Sequence, residues 1–194
     1  MESSAVLSIF KQTGALLEGH FQLTSGLHSN QYFQCAKVLQ NPQHCEALCR
    51  VIAEDARTRN IDVVIAPALG GIVVGQEVGR QLGVRTMSAE RKDGVMQLRR
   101  GFEVQPGERV LVCEDVITTG SSVGEVLSLA VAAGGTLAGV ACIVDRSGGT
   151  VTFPIFNGRH VAVMTMHAVT YKPDQCPLCA SGMPVTKPGS RGNR

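Results

Sequence analysis

Apolar residues along this chain follow two rhythms. Near the start, Val6, Leu7 and Phe10 recur at helical spacing between Ser4 and Lys11, and Gly14 follows as a stop, which predicts a short amphipathic helix. A second helix is marked by Asn41 as a cap and Pro42 in the first turn. Its stripe of Cys45, Leu48, Ile52 and Ala56 ends before Asn60. The rhythm then changes to short unbroken apolar runs separated by helical patterns. The runs are IDVVIAP (61–67), GVRTMSA (83–89), ERVLVCED (108–115), TLAGVACIVD (136–145) and HVAVMTM (160–166), with helices expected over about 72–82 and 121–133. Unbroken β-branched runs between helices are strands buried on both faces, so the pattern predicts an α/β fold with a parallel sheet and crossover helices. Ligands of such sheets bind beyond the carboxyl ends of the strands. The loops at 67–71, 90–101, 115–122 and 145–149 therefore belong to one candidate site.

Other segments lack this rhythm. Gly94 to Gly101, with Arg91, Lys92, Arg99 and Arg100 around few apolar anchors, reads as a long mobile connection of the kind that forms a lid. Lys187 to Arg194 has nothing to bury and reads as a disordered basic tail. No internal repeat is present.

Composition narrows the function classes. The 194 residues fit one sizeable domain, and a net charge of +2 is too even for a nucleic-acid binder. No apolar run is long enough to cross a bilayer, and the opening MESSAVLSIF lacks the features of a signal peptide, so the expectation is a cytoplasmic protein with no membrane or nucleic-acid partner. Seven cysteines scattered through strands and helices read as reduced core residues.

The candidate chemistry is concentrated in VLVCEDVITTGSS, Val110 to Ser122. Thr118, Thr119, Gly120, Ser121 and Ser122 lie between a strand and a helix start, where free amides and the helix dipole favour a phosphate. Glu114 and Asp115 precede them on the strand end. Two acids would repel that phosphate unless they bind sugar hydroxyls, a hydrated Mg²⁺ or a developing cation, so the combination points to a phosphorylated ribose.

This stretch resembles the phosphoribosyl pyrophosphate (PRPP) motif of the type I phosphoribosyltransferases. The resemblance implies that family's fold, a central mostly parallel sheet flanked by helices, in a single domain over 1–194 with a small hood from about 1–40 plus part of 165–185. It implies that Glu114 and Asp115 hold the ribose hydroxyls and that residues 118–122 hold the 5-phosphate. APALGG, Ala66 to Gly71, is similar to the family's pyrophosphate loop, which adds Ala68, Leu69, Gly70 and Gly71 to the PRPP site. Within the family three segments resemble the orotate-specific branch. GHFQLTSGLHSNQYFQ, Gly19 to Gln34, is similar to the hood whose aromatic pair covers the pyrimidine, with Tyr32 and Phe33 at the matching places and Thr24 nearby. IVDR, Ile143 to Arg146, matches the strand end whose arginine meets the orotate carboxylate, a task suited to the planar guanidinium fork, with Thr118 beside it. ERK, Glu90 to Lys92, resembles the start of the catalytic loop, giving Arg91 and Lys92 alongside Asp115 as catalytic candidates. On the residues alone, Tyr32 and Phe33 fit a core as well as a base contact, and Arg91, Lys92 and Arg146 fit solvated charges.

The implied activity is transfer of the 5-phosphoribosyl group from PRPP to orotate, with Mg²⁺ accompanying PRPP without direct side-chain ligation, in a homodimer with shared active sites. A purine phosphoribosyltransferase and a non-catalytic PRPP sensor are the alternatives. The chain departs from the common pattern: Thr24 and Gly70 stand where lysines are usual, and RKDGVMQLRRG has no histidine. Cys176 and Cys179 form a Cys-x2-Cys knuckle, half a zinc site, whose further ligands could be His44, Cys45, Cys49, His167 or another subunit. One pair alone favours reduced or turn-forming cysteines over structural zinc, with a redox role last.

Overall fold

A computed structural model describes residues 1–23, 25–166 and 169–188. The chain opens with helix α1 (Ser3–Gln12), then a hairpin of β1 (Leu16–Gln22) and β2 (His28–Phe33), a short α2 (Ala36–Leu39) and α3 (Pro42–Ala56). Next come β3 (Val63–Pro67), α4 (Gly70–Leu82), β4 (Arg85–Lys92), β5 (Val95–Leu98), β6 (Arg109–Ile117), α5 (Ser121–Ala132), β7 (Thr136–Asp145) and β8 (Val161–Thr165). It closes with β9 (Thr170–Tyr171), a 3₁₀ turn at Pro173–Gln175 and a single helical turn, α6 (Pro177–Ala180). Among the described residues no helix is long and apolar enough to cross a membrane.

The large sheet has the order β5-β4-β3-β6-β7-β8, parallel except for β5 at the edge. Its strands are unbroken apolar runs because they alternate between two cores. Val64, Leu111, Cys113, Ala141 and Ile143 join the cluster under α1, α3 and α4 that holds Phe10, Leu48, Ile52 and Val78. Val63, Ile65, Val110, Val112, Val140 and Cys142 join the opposite cluster with Val126, Leu127 and Phe153. Helix α4 lies close to the sheet because its inner face is glycine: a Cβ on Gly75 would stand 2.8 Å from that of Ala66. The chain leaves β3 toward β4 on one side, whereas β6, β7 and β8 follow on the other. The carboxyl ends of β3 and β6 therefore flank the switch point, the usual ligand crevice of such sheets.

The second sheet is small and antiparallel, order β1-β2-β9, and joins the two ends of the chain. Thr186 adds to its far edge: its N–H donates to the His20 carbonyl, and its own carbonyl accepts from Gln22 N–H, both at 2.8 Å.

Two expectations are corrected. The region read as a mobile connection is a hairpin: β4 runs on to Lys92, and Asp93 and Gly94, both at positive φ, make the two-residue turn into β5. Asn41 precedes α3, but its side chain makes no cap; its amide donates instead to the Lys37 carbonyl at 3.2 Å. Thr24, His167 and the tail from 189 to 194 lie outside the described residues.

Candidate active site

Glu114 and Asp115 end the buried stretch of β6, and both carboxylates lie against the first turn of α4. A Cβ on Gly71 would approach Glu114 Oε1 to 2.9 Å, and one on Gly70 would collide with the Asp115 carboxylate. Glycine at 70 and 71 thus lets the 68–71 turn and the acids share one crevice. A lysine at position 70 would have to displace Asp115, which gives the departure at Gly70 a steric reason. Ala68 N–H is anchored on the Ala89 carbonyl at 2.7 Å, and Leu69 stands exposed before α4 begins.

The second helix start is built from Thr118 to Ser122. Gly120 takes φ +75° before α5 and has Val151 and Phe153 packed against it, where a Cβ would come within 2.7 and 2.8 Å. A side chain there is excluded both by conformation and by space. Thr119 Oγ1 accepts from Ser121 N–H at 3.4 Å, shaping the turn. A cleft of about 40 Å³ between Glu114, Thr118, Gly120 and Ser122 opens at this end of the sheet. A wider depression of about 410 Å³ around Arg57, Asn60 and Gln81 holds neither acid pair nor helix start and stands apart from this chemistry. Two helix N-termini, α4 and α5, therefore converge beside two carboxylates, a pairing suited to a ligand with anionic ends and a hydroxyl-bearing middle.

The acids are not equivalent. Burial, reinforced by the neighbouring Asp115 charge, pushes the Glu114 carboxyl up to about 9, so it holds its proton at neutral pH in the ligand-free protein. Asp115 is half-buried and steadied by Val116 N–H, 2.9 Å from its Oδ1.

Arg146 follows β7 next to this loop, its N–H bonded to the Ile117 carbonyl at 2.8 Å. Burial lowers the pKa of its guanidinium, and its buried Nε has no hydrogen-bond partner among the described residues. One face lies over the Phe33 ring, 5.9 Å from the centroid. Phe33 itself is a core residue, edge-on to Phe10 at 5.8 Å, whereas the half-buried Tyr32 packs on Phe21 at 5.9 Å. Burial raises the Tyr32 phenol; the Arg146 charge opposes this and the Asp115 charge adds to it.

Asp145, fully buried, fixes the turn that presents Arg146. It accepts from Ser147 N–H (2.7 Å), Gly149 N–H (2.9 Å) and His160 Nε2 (2.9 Å). Burial alone would raise its pKa, but the Ser147 and His160 hydrogen bonds hold it below the ordinary aspartate value. Neither Asp145 nor His160 carries a role by sequence pattern alone; the adjacent Asp-Arg at a strand end is the local signal for the first, and the second is brought to it by the fold.

The cationic residues of the hairpin are largely engaged. Arg91 makes a two-pronged pair with Glu125 of α5, both contacts 2.7 Å, while Arg99 and Arg100 pair with Glu90 at 3.5 and 3.0 Å. Lys92 is exposed at the hairpin tip and makes no ion pair among the described residues.

Cys176 and Cys179 meet neither Cys45 nor Cys49, which lie together in the core 4.0 Å apart. They meet His20 and His28 of the small sheet.

A family model, "Phosphoribosyl transferase domain", matches residues 35–152. Over 194 residues, all of this chain and 99% of the relative, the sequence is 58% identical to an orotate phosphoribosyltransferase of Chlorobium phaeobacteroides. The fold matches the crystal structure of an orotate phosphoribosyltransferase from Aeropyrum pernix with TM-score 0.71 at 24% identity, covering 82% of this chain and 93% of that one. It also matches an adenine phosphoribosyltransferase from Rhodothermus marinus with TM-score 0.68 at 19% identity, over 84% and 99% of the two chains. The fold is thus shared by enzymes named for different bases, and the full-length sequence identity makes the narrower assignment: the chain belongs to the orotate phosphoribosyltransferases within the phosphoribosyltransferase family.

Proposed function

We propose that the protein transfers the 5-phosphoribosyl group from PRPP to orotate, releasing pyrophosphate and forming orotidine 5′-monophosphate in pyrimidine biosynthesis. The observation that carries the choice of base is Arg146, a half-buried guanidinium next to the 118–122 loop whose buried Nε has no partner among the described residues. A buried donor left unused is costly in the free protein, and a carboxylate on the base would satisfy it with a charge-assisted hydrogen bond. In this reading Tyr32, whose phenol feels the charges of Arg146 and Asp115, borders the same space; Phe33 acts from behind, as the surface on which Arg146 rests.

In this reading the 5-phosphate sits on the amides and hydroxyls of Thr118, Thr119, Gly120, Ser121 and Ser122 at the start of α5. The pyrophosphate meets Ala68, Leu69, Gly70 and Gly71 at the start of α4, and the ribose hydroxyls bridge to Glu114 and Asp115. The bond between the anomeric carbon and the pyrophosphate oxygen breaks with its electron pair on the leaving group. The orotate nitrogen bonds to that carbon from the opposite face, and its proton passes to solvent. Asp115 stabilises the positive charge that develops on the sugar, and the helix ends hold the anionic groups in line. The donors at the crevice are all oxygen, which fits Mg²⁺ brought in with PRPP; when bound, the ion neutralises the leaving pyrophosphate. Lys92 is the hairpin-tip cation for the same charge, while Arg91 steadies the hairpin on α5. A cytoplasmic homodimer with shared sites belongs to this reading.

The test is an assay with PRPP and Mg²⁺ that follows loss of orotate absorbance, with uracil, hypoxanthine and adenine as parallel acceptors. Turnover with orotate alone is expected. Turnover with a purine instead would overturn the role of Arg146, and PRPP binding without turnover on any base would make the protein a sensor.

A further inference from the structure

The small sheet holds a group of side chains that the transfer reaction does not use. Four ligand atoms, one each from His20, His28, Cys176 and Cys179, lie within 4.8 Å of one another. His20 and His28 are 3% and 6% exposed and Cys176 is 3% exposed, while Cys179 faces the surface. From these atoms we propose that the protein binds one structural zinc ion that fastens the C-terminal knuckle onto the β1-β2 hairpin.

Three features support a metal over a chance meeting of polar side chains. The first is size. Zn–S and Zn–N bonds of about 2.3 and 2.05 Å in tetrahedral geometry require N···S edges of about 3.6 Å and an N···N edge of about 3.3 Å. Three of the four N···S separations are 3.5 Å (Cys176 to His20 Nε2), 3.7 Å (Cys179 to His20 Nε2) and 3.3 Å (Cys179 to His28 Nδ1), and all four ligand atoms lie within 4.8 Å of one another. The His20–His28 pair is the tightest, at 2.8 Å.

The second is orientation. Nδ1–H of His20 donates to the Met183 carbonyl at 2.7 Å, which leaves the lone pair on Nε2 directed at the cysteines. Histidine ligands of zinc are commonly held this way, the far nitrogen bonded to a carbonyl that sets the tautomer.

The third is the backbone. Strand β1 slips register against β2 between Glu18 and Phe21, and this bulge buries two successive residues, His20 and Phe21, where a regular strand would bury one. Bulges re-aim side chains, and this one turns His20 toward the knuckle. A donor set of two sulfurs and two imidazoles selects zinc among the common cellular metals. Cys176 is 156 residues from His20, so the ion would close a long loop and tie the two ends of the chain together.

The test begins with metal analysis of protein purified without chelator or metal-affinity resin and kept reduced. About one zinc per chain is expected. Replacement by Co²⁺ should give the visible bands of a tetrahedral site and thiolate charge transfer in the near ultraviolet. Cys179 is exposed, so Cys179→Ser should fold and lose at least about tenfold in zinc affinity; His28→Gln should do the same. Chelation should lower the melting temperature of the natural chain and leave that of Cys179→Ser unchanged. The proposal is overturned if the reduced protein takes up neither Zn²⁺ nor Co²⁺, if bound metal survives both substitutions, or if thiol titration of fresh protein finds Cys176 and Cys179 joined as a disulfide.

Discussion

The two sheets meet the demands of burial differently. Each central strand of the six-stranded sheet shares its side chains between two apolar clusters, so the crevice with Glu114, Asp115 and the starts of α4 and α5 rests on a frame complete without ligands. The three-stranded sheet has little of this support. It buries Leu16, Phe21 and Phe33, but between them lie Glu18, Gln22, Asn30 and Gln31, and β9 is two residues long. Small sheets of this kind are marginal on their own. Two of its residues, His20 and His28, meet Cys176 and Cys179 in one cluster. The phosphate-binding chemistry thus sits on a hydrophobically supported frame. Tyr32, to which the proposed function gives the base, sits on a sheet whose order depends on the proposed cross-link.

The largest effect expected is confined to the first frame. Asp115→Asn keeps the shape of the side chain and removes its charge, so kcat/KM for PRPP should fall by about 100-fold or more with the melting temperature unchanged. Steady-state kinetics with PRPP varied would check this, and normal kinetics would remove Asp115 from the site. Arg146→Ala comes next. The KM for orotate should rise about 10- to 100-fold while that for PRPP stays near its original value, because in the proposed roles the guanidinium serves the base and the helix ends serve the phosphates. Equal losses for both substrates would argue that Arg146 supports the crevice as a whole.

The contrast between frames is tested most directly by hydrogen exchange before and after zinc is chelated. Amides of β1 and β2 should exchange about tenfold faster or more, and those of β3 and β6 at an unchanged rate. Uniform acceleration would mean that the two sheets unfold as one unit and that the distinction drawn between them fails.

The same contrast explains what could be read from the chain. Strands buried on both faces are written as unbroken apolar runs, so β3, β6 and β7 were legible, as was the turn from Thr118 to Ser122 before α5, whose residues are contiguous. The hairpin of β4 and β5 was obscured because its arginines suggested solvent; the Asp93-Gly94 pair was the overlooked turn signal, and Glu125, which holds Arg91, lies 34 residues away. His20 and His28 escaped notice for a similar reason. They lie in a polar hairpin at the opposite end of the chain from the cysteines, and spacing rules see only local ligands. Asp145 and His160 were hidden likewise, since the role of a fully buried acid depends on partners brought to it by the fold.

The smallest effect concerns Glu114 and the intrinsic stability of the larger frame. Its carboxyl is raised from 4.5 to about 9 by burial and by Asp115, so between those values the folded protein holds a proton that the unfolded chain releases. More protons bound in the folded state means that stability declines as pH rises through this window, with a ceiling of about 1.4 kcal/mol per pH unit. The contribution is fully present below the unfolded value and is lost progressively toward about 9. Water entering the cleft beside Thr118 and Ser122 lowers the effective cost, and a total loss of about 1 to 2 kcal/mol from roughly pH 5 to pH 8 is expected. Glu114→Gln cannot ionise and should lack this loss, so urea midpoints of the two proteins should draw apart as pH rises, the variant being the more stable at the alkaline end. Parallel profiles would mean that Glu114 is already ionised in the ligand-free protein. In that case the crevice would hold two negative charges without ligand, and the larger sheet, like the smaller one, would need a bound cation to complete it.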